Sequence, residues 1–389
     1  MQRYLLRKKE ADVKRDLKNF PAVAILGPRQ CGKSTMALEL GKKIKNFLYL
    51  DMELLSDTRK LNDPELFFYS NKNKVICLDK VQIKPRIFST LRGVIDKNRK
   101  NGKFILLGSA SPEVIQKSSE TLAGRISFIE LTPFTINEIK NLKSFSLNSF
   151  WLKGGYPKSF LAKNNDISIR WRDNFIKTFV ERDIPKLGIN ISSVKLWRFI
   201  KMCAHFHGQL INTQKIGESL GITYHTARNY IDIFEKGYVF RILQPLETNL
   251  KKRLIKSPKL YIRDSGVLHS LLEIDSFNNL LGYPFLGSSW EGFMIENILS
   301  ELPEWKGYFY RTSSGSEINL ILTKGGKKIA VEFKSSTAPV VSRGFYLALQ
   351  DLKIEKAFII SPVVGTYQLK ENIYVTNLEE FLEMMKKEK

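Results

Sequence analysis

The chain has 389 residues, of which an ordinary 43% are hydrophobic, so it is long enough for two or three domains with substantial cores. Its net charge of +23 favours a polyanionic partner such as DNA or RNA, although lysines that only face solvent would give the same value. No apolar run reaches the roughly 20 residues that cross a bilayer, which excludes a membrane span, and the N-terminus has no signal-peptide core. The three cysteines are scattered, which excludes a disulfide framework and predicts a cytoplasmic protein.

A phosphate-binding loop is the first motif along the chain. Gly27–Ser34 matches G-x-x-x-x-G-K-[ST] at every defined position, follows the strand-like run Ala22–Leu26 and precedes the helix-like stretch Ser34–Leu40. Backbone N–H groups of such a loop and the positive end of the helix converge on phosphates, Lys33 would reach the β- and γ-phosphates, and Ser34 would ligate Mg²⁺. The predicted binding residues for ATP or GTP are Gly27, Pro28, Arg29, Gln30, Cys31, Gly32, Lys33, Ser34 and Thr35.

Strand-like runs alternate with helical patterns around this loop, which predicts a parallel α/β sheet with nucleotide at the carboxyl ends of its strands. The runs lie at 22–26, 47–50, 75–78 and 103–107. The third run leads into Asp79, which would lie beside Mg²⁺. Many ATPases place a water-activating glutamate next, whereas this chain has Lys80, and a protonated lysine cannot accept a proton. We therefore expect nucleotide binding with slow hydrolysis.

Two more residues are candidates for contacting the γ-phosphate. Ser109 ends the fourth strand-like run, where its hydroxyl is suited to sensing the γ-phosphate or its water, and an ordinary strand terminus explains it equally well. Arg125 follows a glycine and precedes another strand-like run. It is a candidate arginine finger or γ-phosphate sensor, and a structural salt bridge is the competing interpretation.

Together these segments resemble P-loop ATPases of the AAA superfamily, in which the ATPase is fused to a C-terminal region of unassigned function. The resemblance rests on residues 27–35, 75–82, 106–111, 122–135, 154–157, 182–184, 259–266 and 290–293. It implies an AAA-type ATPase domain at 1–140, with ATP rather than GTP as nucleotide and Mg²⁺ as its metal. The resembled family usually has a glutamate where this chain has Lys80.

The next segment has the pattern of a helix-turn-helix. Two short amphipathic stretches, Leu210–Leu220 and Tyr224–Phe234, flank a Gly-Ile-Thr turn. In the second stretch the apolar residues would pack inward. His225, Arg228 and Asn229 would then face outward, where a recognition helix meets a major groove.

A hairpin follows, formed by the strand-like runs 238–243 and 259–262, and it completes a predicted winged helix at 196–275. A helical linker region at 141–195 precedes it. Basic residues in the hairpin loop are suited to phosphate contacts. They are Lys251, Lys252, Arg253 and Lys256. DNA contact is the favoured interpretation, and a protein–protein module or a rigid spacer is the alternative.

The last region, 276–389, is predicted to be nuclease-like. A helix–strand–strand–helix order carries Glu332 and Lys334 in the E-x-K form of the PD-(D/E)xK nuclease core. In that core the glutamate and an acid one hairpin upstream hold Mg²⁺, while the lysine steadies the nucleophilic water. We therefore predict Glu332 and Lys334 as catalytic residues.

The upstream strand has Asn319 where the resembled family usually has aspartate, and an amide lacks the charge that a hard cation favours. Glu291 matches an additional acid of related resolvase-like folds, and Glu317 lies on the same strand face as Asn319. We predict Glu291 and Glu332 as Mg²⁺ ligands here, and Ser34 and Asp79 as those of the phosphate loop.

These predictions combine into one α/β protein: a P-loop AAA-type parallel sheet, followed by a winged helix and a restriction-endonuclease-like α/β domain. We expect it to bind ATP and DNA, with both catalytic sites weakened by Lys80 and Asn319. Three alternatives stay open: an active DNA-stimulated ATPase, a metal-dependent nuclease and a nucleotide-regulated protein-binding module. Oligomerisation is compatible with each of them.

Overall fold

The computed structural model describes residues 4–109, 121–186, 191–247 and 254–388, which form two compact units. The first unit runs to Phe134 and includes Lys236–Tyr238, and the second comprises Thr135–Glu235 and Val239 onward. Nearly all of the three regions predicted after residue 140 therefore lies in the second unit. The boundaries at 140, 195 and 275 stay predictions.

The first unit alternates strands with helices. Its strands are β1 (Ala22–Gly27), β2 (Phe47–Asp51), β3 (Val75–Asp79), β4 (Phe104–Ser109) and β5 (Ile126–Glu130). Its helices are α1 (Lys9–Asn19), α2 (Lys33–Gly41), α3 (Leu55–Lys60), α4 (Pro64–Ser70) and α5 (Ile87–Lys97), with a 3₁₀ turn at Val81–Ile83. All five strands run parallel in the order β2-β3-β4-β1-β5, so the predicted parallel α/β sheet is confirmed.

Burial explains why the strands of this sheet could be recognised in the sequence as continuous apolar runs. Parallel sheets are covered on both faces, so their strands lack the alternation of a half-exposed sheet. Every residue of β1 is buried. The strand register places Gly27 opposite Ser109 and Asp51 opposite Asp79. The carboxyl edge of the sheet thereby gathers the residues of the predicted nucleotide site.

The second unit begins with helices and ends with a sheet. Its helices are α6 (Ile136–Ile139), α7 (Leu147–Lys153), α8 (Pro157–Phe160), α9 (Asn165–Thr178), α10 (Ile184–Lys186), α11 (Ser193–His205), α12 (Thr213–Leu220), α13 (Tyr224–Lys236), α14 (Ser265–Leu271), α15 (Phe277–Leu281), α16 (Leu286–Glu301), α17 (Arg343–Leu352) and α18 (Leu378–Lys387), with a π-helical turn at Phe179–Asp183. Its strands are β6 (Phe240–Leu243), β7 (Lys259–Ile262), β8 (Lys306–Arg311), β9 (Glu317–Lys324), β10 (Lys327–Phe333), β11 (Ala357–Ile360), β12 (Tyr367–Lys370) and β13 (Ile373–Thr376).

Six of these strands form one mixed sheet in the order β12-β13-β11-β10-β9-β8. Strands β8, β9 and β10 are antiparallel neighbours, whereas β10, β11 and β13 run parallel. Helix α17 lies between β10 and β11 in the chain, as a parallel crossover requires. It packs Phe345 and Ala348 with Ile321 and Ile359 in a buried apolar cluster.

Strands β6 and β7 form a separate antiparallel pair. The described ends of the loop between them continue along β8: Leu246 N donates to Phe309 O at 2.7 Å, and Ile255 N donates to Arg311 O at 3.0 Å. The two ends of the hairpin loop therefore hydrogen-bond to β8, the edge strand of the six-stranded sheet. Across the described ranges, no helix has the length and apolar character needed to cross a membrane.

Candidate functional site

The phosphate loop has the backbone that its two motif glycines allow. Gly27 has a φ of +152°, and a Cβ there would lie 2.1 Å from the carbonyl oxygen of Leu131. Gly32 has a φ of +103° and forms the N-cap of α2. Both positions need a residue without a side chain, so the two motif glycines allow the backbone path that the loop takes into α2.

Lys33 folds back over this loop. Its side chain is nearly buried, and Nζ donates to the carbonyl oxygens of Gly27 at 2.9 Å and Pro28 at 2.6 Å. The ammonium therefore lies against the backbone that would surround a phosphate. Its contact with the β- and γ-phosphates stays a prediction.

Ser34 and Asp79 meet beside the loop. Ser34 Oγ donates to Asp79 Oδ2 at 2.5 Å, and the Tyr49 hydroxyl donates to the same oxygen at 2.5 Å. Asp79 is almost fully buried. Burial and the hydrogen bond to Asp79 raise the pKa of Tyr49, which therefore stays a proton donor. Tyr49 was not predicted, although its place two residues before the end of β2 puts it on the same strand face as Asp51.

Lys80 is held by acids from the neighbouring strand. It has a left-handed backbone with a φ of +59°. Its Nζ donates to Asp51 Oδ2 at 3.1 Å and to Glu53 Oε2 at 2.6 Å. Burial lowers the pKa of Lys80, but the hydrogen bonds to Glu53 and Asp51 outweigh it and raise that pKa above its ordinary value. Lys80, the residue after Asp79, is thus a charged donor.

Arg7 braces the phosphate loop from the segment before α1. Its guanidinium donates to Cys31 O at 2.8 Å and to Thr132 O at 2.6 Å, and it lies 4.9 Å from the ring centre of Phe134. The arginine is buried. No pattern in the sequence connected it to a loop that begins 20 residues later.

The structure does not bring Arg125 to the phosphate loop. Arg125 lies at the amino edge of the sheet, where its backbone oxygen accepts from Ala22 N, the first residue of β1, at 3.1 Å. The phosphate loop begins at the opposite, carboxyl end of β1, roughly 16 Å away along the strand. Its guanidinium pairs with Asp96 at 2.7 and 3.1 Å. Within one chain, Arg125 therefore forms a salt bridge and does not lie near the phosphate loop, which corrects the prediction of a γ-phosphate sensor. Ser109 ends β4 opposite Gly27, and its side chain lies outside the described part of the protein.

The apolar and polar residues of the predicted recognition helix lie on opposite sides of α13. On α13 the apolar side is buried, and it comprises Ala227, Tyr230, Ile231 and Phe234. His225, Arg228 and Asn229 are exposed on the other side, with Arg228 paired to Asp232 at 3.4 Å. Lys256 is exposed. The remaining predicted wing residues, Lys251, Lys252 and Arg253, lie outside the described residues, and DNA contact stays a prediction.

The predicted nuclease-like residues lie close together in the second unit. Lys334 Nζ donates to Glu332 Oε1 at 3.0 Å, whereas Glu332 Oε2 is buried and has no hydrogen-bond partner among the described residues. Burial raises the pKa of Glu332 to about 7, although Lys334 opposes this shift. Asn319 uses both ends of its amide: Nδ2 donates to Glu291 Oε2 at 3.1 Å, and Oδ1 accepts from Phe333 N at 3.1 Å.

A lysine that was not predicted lies among these acids. Lys259, the first residue of β7, is 3% exposed, and its Nζ lies 3.0 Å from Glu291 Oε1 and 2.8 Å from Glu317 Oε1. Tyr261, two residues later on the same strand face, donates its hydroxyl to Glu291. Burial lowers the pKa of Lys259, but Glu291 and Glu317 raise it above its ordinary value. The ammonium is therefore charged and enclosed.

A divalent metal does not fit this arrangement. Glu291 is engaged by Lys259, Tyr261 and Asn319, and Glu332 by Lys334. No group of three or more His, Cys, Asp or Glu side chains in the described ranges is placed to hold a metal ion. The residues around the predicted Mg²⁺ ligands thus differ from the expectation: Glu291 contacts the Lys259 ammonium, and Glu332 contacts that of Lys334. The surrounding cavity, of about 510 Å³, also includes Arg311 in its lining.

Comparison with known proteins covers most of the chain. The family described as "AAA domain" matches residues 19–140, and two families described as "Domain of unknown function" match 144–278 (DUF8612) and 286–381 (DUF4143). Uncharacterized proteins Rv2008c of Mycobacterium tuberculosis and Mb2031c of Mycobacterium bovis are each 36% identical over 372 residues, which are 96% of this chain and 83% of the relative.

Among solved structures, the Walker-type ATPase PABY2304 of Pyrococcus abyssi matches 69% of this chain and 96% of its own, with a TM-score of 0.48 and 14% identity. The sequence relatives and the AAA match carry the assignment. The chain belongs to the same family as these two mycobacterial proteins, and its N-terminal part is an AAA-type P-loop ATPase domain.

Proposed function

We propose that this protein binds MgATP at the phosphate loop, hydrolyses it slowly and binds DNA through its second unit. The observation that carries the nucleotide proposal is the 2.5 Å hydrogen bond between Ser34 Oγ and Asp79 Oδ2 at the carboxyl edge of the sheet. A hydroxyl and a carboxylate that meet directly after a phosphate loop are the two protein ligands that Mg²⁺ uses in P-loop ATPases. Bound Mg²⁺ would neutralise charge on the β- and γ-phosphates.

Lys33 supports the same proposal. Its ammonium is satisfied by two carbonyl oxygens of its own loop, so it lies beside the proposed phosphate position without a buried, unpaired charge. A phosphate oxygen carries a negative charge and is the stronger acceptor. Rotation of one flexible side chain would exchange those carbonyls for the β- and γ-phosphates.

Slow hydrolysis follows from the surroundings of Lys80. Asp51 and Glu53 stabilise its charged form, so the ammonium cannot accept a proton from an attacking water. Both carboxylates are at the same time occupied by that ammonium. Nucleotide binding does not depend on either acid, because Lys33, Ser34 and Asp79 form a separate set of contacts.

The DNA proposal rests on α13 and the basic character of the chain. Three polar residues, His225, Arg228 and Asn229, occupy one exposed side of the helix that follows the turn. The net charge of +23 attracts the phosphates of DNA, and an exposed helix can then enter a groove of the duplex. A protein-binding module with the same fold would lack salt-dependent affinity for DNA.

The test is equilibrium ATP binding and steady-state ATP hydrolysis by the full chain, with and without duplex DNA, using Lys33→Ala as the control. We expect binding that the substitution abolishes, with turnover near the control level. Fast DNA-stimulated turnover that Lys33→Ala removes would establish the active ATPase instead. Absence of ATP binding by the unsubstituted chain would overturn the nucleotide proposal.

A further inference from the structure

The cluster around Lys259 differs in kind from a metal site. We propose that the Lys259 ammonium is a built-in cation that takes the place of a divalent metal in the nuclease-like pocket, so that this pocket is metal-free by construction. The inference goes beyond the proposed function, which concerns nucleotide and DNA, and does not depend on nucleotide binding.

The contacts of Lys259 are those of a bridging cation. Its Nζ lies within 3.0 Å of oxygens from two carboxylates on different elements, Glu291 of α16 and Glu317 of β9, and 5.5 Å from the ring centre of Phe309. A surface lysine would keep its ammonium in water, but this side chain is 3% exposed. Removal of an ion from water is costly unless partners compensate it. The two carboxylates supply that compensation.

Charge balance in the pocket argues against an additional divalent ion. Its three carboxylates each have a cationic partner: Lys259 for Glu291, Arg311 for Glu317 at 3.5 Å, and Lys334 for Glu332 at 3.0 Å. Mg²⁺ and Mn²⁺ sites depend on an excess of carboxylate charge. With the cations of this protein already present, that excess is lacking.

Asn319 completes the arrangement. Its Nδ2–H₂ group donates to Glu291 Oε2, the oxygen that Lys259 leaves free, and its orientation is fixed by the hydrogen bond from Phe333 N to Oδ1. An aspartate cannot donate at this position and would add a negative charge beside Glu291. Asn319 and Lys259 are therefore complementary, because the amide donates to Glu291 without adding a negative charge that the single charge of an ammonium would have to balance.

The position of Lys259 also says what the ammonium does. It belongs to β7, which pairs with β6 next to the helix-turn-helix, whereas Glu291 and Glu317 belong to the C-terminal part of the unit. A metal in a nuclease acts on a bound phosphodiester. This cation instead joins two parts of the second unit through buried ion pairs.

The experiment titrates MnCl₂ alone into the full chain and counts bound ions from the loss of the free-Mn²⁺ electron paramagnetic resonance signal. An Asp79→Asn background removes the metal ligand of the phosphate loop, and nucleotide is omitted. We expect no stoichiometric Mn²⁺ binding in this background. The double substitution Lys259→Met with Asn319→Asp should create one Mn²⁺ site, with affinity at least about tenfold above the background. Lys328→Met, which removes an exposed lysine of β10, is the matched control and should create none.

Stoichiometric Mn²⁺ binding in the background that Glu291→Gln abolishes would overturn the proposal. A folded double variant without an Mn²⁺ site, as judged by circular dichroism, would also overturn it. If that variant does not fold, the background titration and its Glu291→Gln partner still decide the question. Because no nucleotide is present, failure of the ATP proposal cannot imitate any of these outcomes.

Discussion

Lys80 donates a 2.6 Å hydrogen bond to Glu53, and this pairing fixes an ammonium on the residue that directly follows Asp79. A second carboxylate, Asp51, lies 3.1 Å from the same ammonium at the carboxyl end of the neighbouring strand. The Lys80 contacts lower the pKa of Glu53, which stays ionised. Acids are therefore present at this edge of the sheet, but the cation between them keeps them in an ion-pair network.

Lys80→Glu should raise the turnover of ATP, because it replaces the charged donor with a carboxylate at the position that activates water in many ATPases. A positioned general base contributes roughly 10²- to 10⁴-fold, and we expect the lower end because Asp51 and Glu53 lie close by. Steady-state phosphate release at saturating ATP is the measurement. Lys80→Met removes the same ion pairs without adding a base, so equal turnover in the two variants would contradict this account.

Arg7 should matter both for stability and for nucleotide affinity, since its guanidinium holds Cys31 of the phosphate loop and Thr132 after the last strand. Arg7→Met leaves buried carbonyl groups without donors and should lower the free energy of unfolding by about 3 kcal/mol. All five tryptophans of the chain lie in the second unit, so unfolding of the first is best followed by hydrogen–deuterium exchange of the buried strand β1.

The matched control for Arg7 is Arg15→Met, because Arg15 lies on α1 with a side chain that is 64% exposed. That substitution should change the free energy of unfolding by less than about 0.5 kcal/mol. A similar loss in both variants would show that Arg7 acts only through general charge.

The first unit was largely predictable because its central strands β1, β3 and β4 are buried on both faces. The run at 75–78 corresponds to β3, Val75–Asp79, and its carboxyl end carries Asp79 as expected. Of the interpretations left open for Arg125, the sequence already contained a reason against a γ-phosphate sensor within its own chain. A residue that precedes a strand of a parallel sheet lies at the amino edge, whereas phosphate loops follow strands at the carboxyl edge.

The C-terminal site was only partly predictable. The spacing of Glu332 and Lys334 is local, and a strand places both on one face. The role of Lys259 is not local, since it appears only when β7 approaches α16 and β9, which lie about 30 and 60 positions later in the chain. Its one local signal was the Lys-x-Tyr alternation on a buried strand, which indicates two polar groups directed into the same site.

Because of Glu296, the free energy of unfolding of the second unit should fall at acidic pH. Burial alone would raise its pKa, but Arg241 and Arg263 lower the pKa to about 2, from 4.5 in the unfolded chain. A lowered carboxylate pKa stabilises the folded state above pH 4.5, and this contribution is lost as the pH falls through about 2. We expect this group to account for a loss of about 3 kcal/mol between those values, measured by tryptophan fluorescence in urea.

Glu296→Gln should flatten that acid dependence and should itself lower the free energy of unfolding by about 3 kcal/mol at neutral pH, because two guanidinium groups lose their charged partner. Glu371→Gln, at an exposed position between β12 and β13, should leave the pH profile unchanged. Parallel profiles for the unsubstituted chain and Glu296→Gln would rule out this ion pair as the acid-sensitive element.

DNA binding by α13 should separate into a salt-dependent part and a sequence-dependent part. Lys256→Ala should reduce the slope of log K against log salt by about 0.9, equally for every duplex, since each phosphate contact releases about that many counterions. Asn229→Ala should instead leave the slope unchanged and cost about 1–3 kcal/mol on a preferred duplex only, because amide side chains read base edges. Fluorescence anisotropy over a salt series measures both. Lys158→Ala removes an exposed lysine outside the predicted helix-turn-helix, and it should alter neither quantity. If all three variants shift the affinity alike, the positive field of the whole protein holds the DNA and α13 does not.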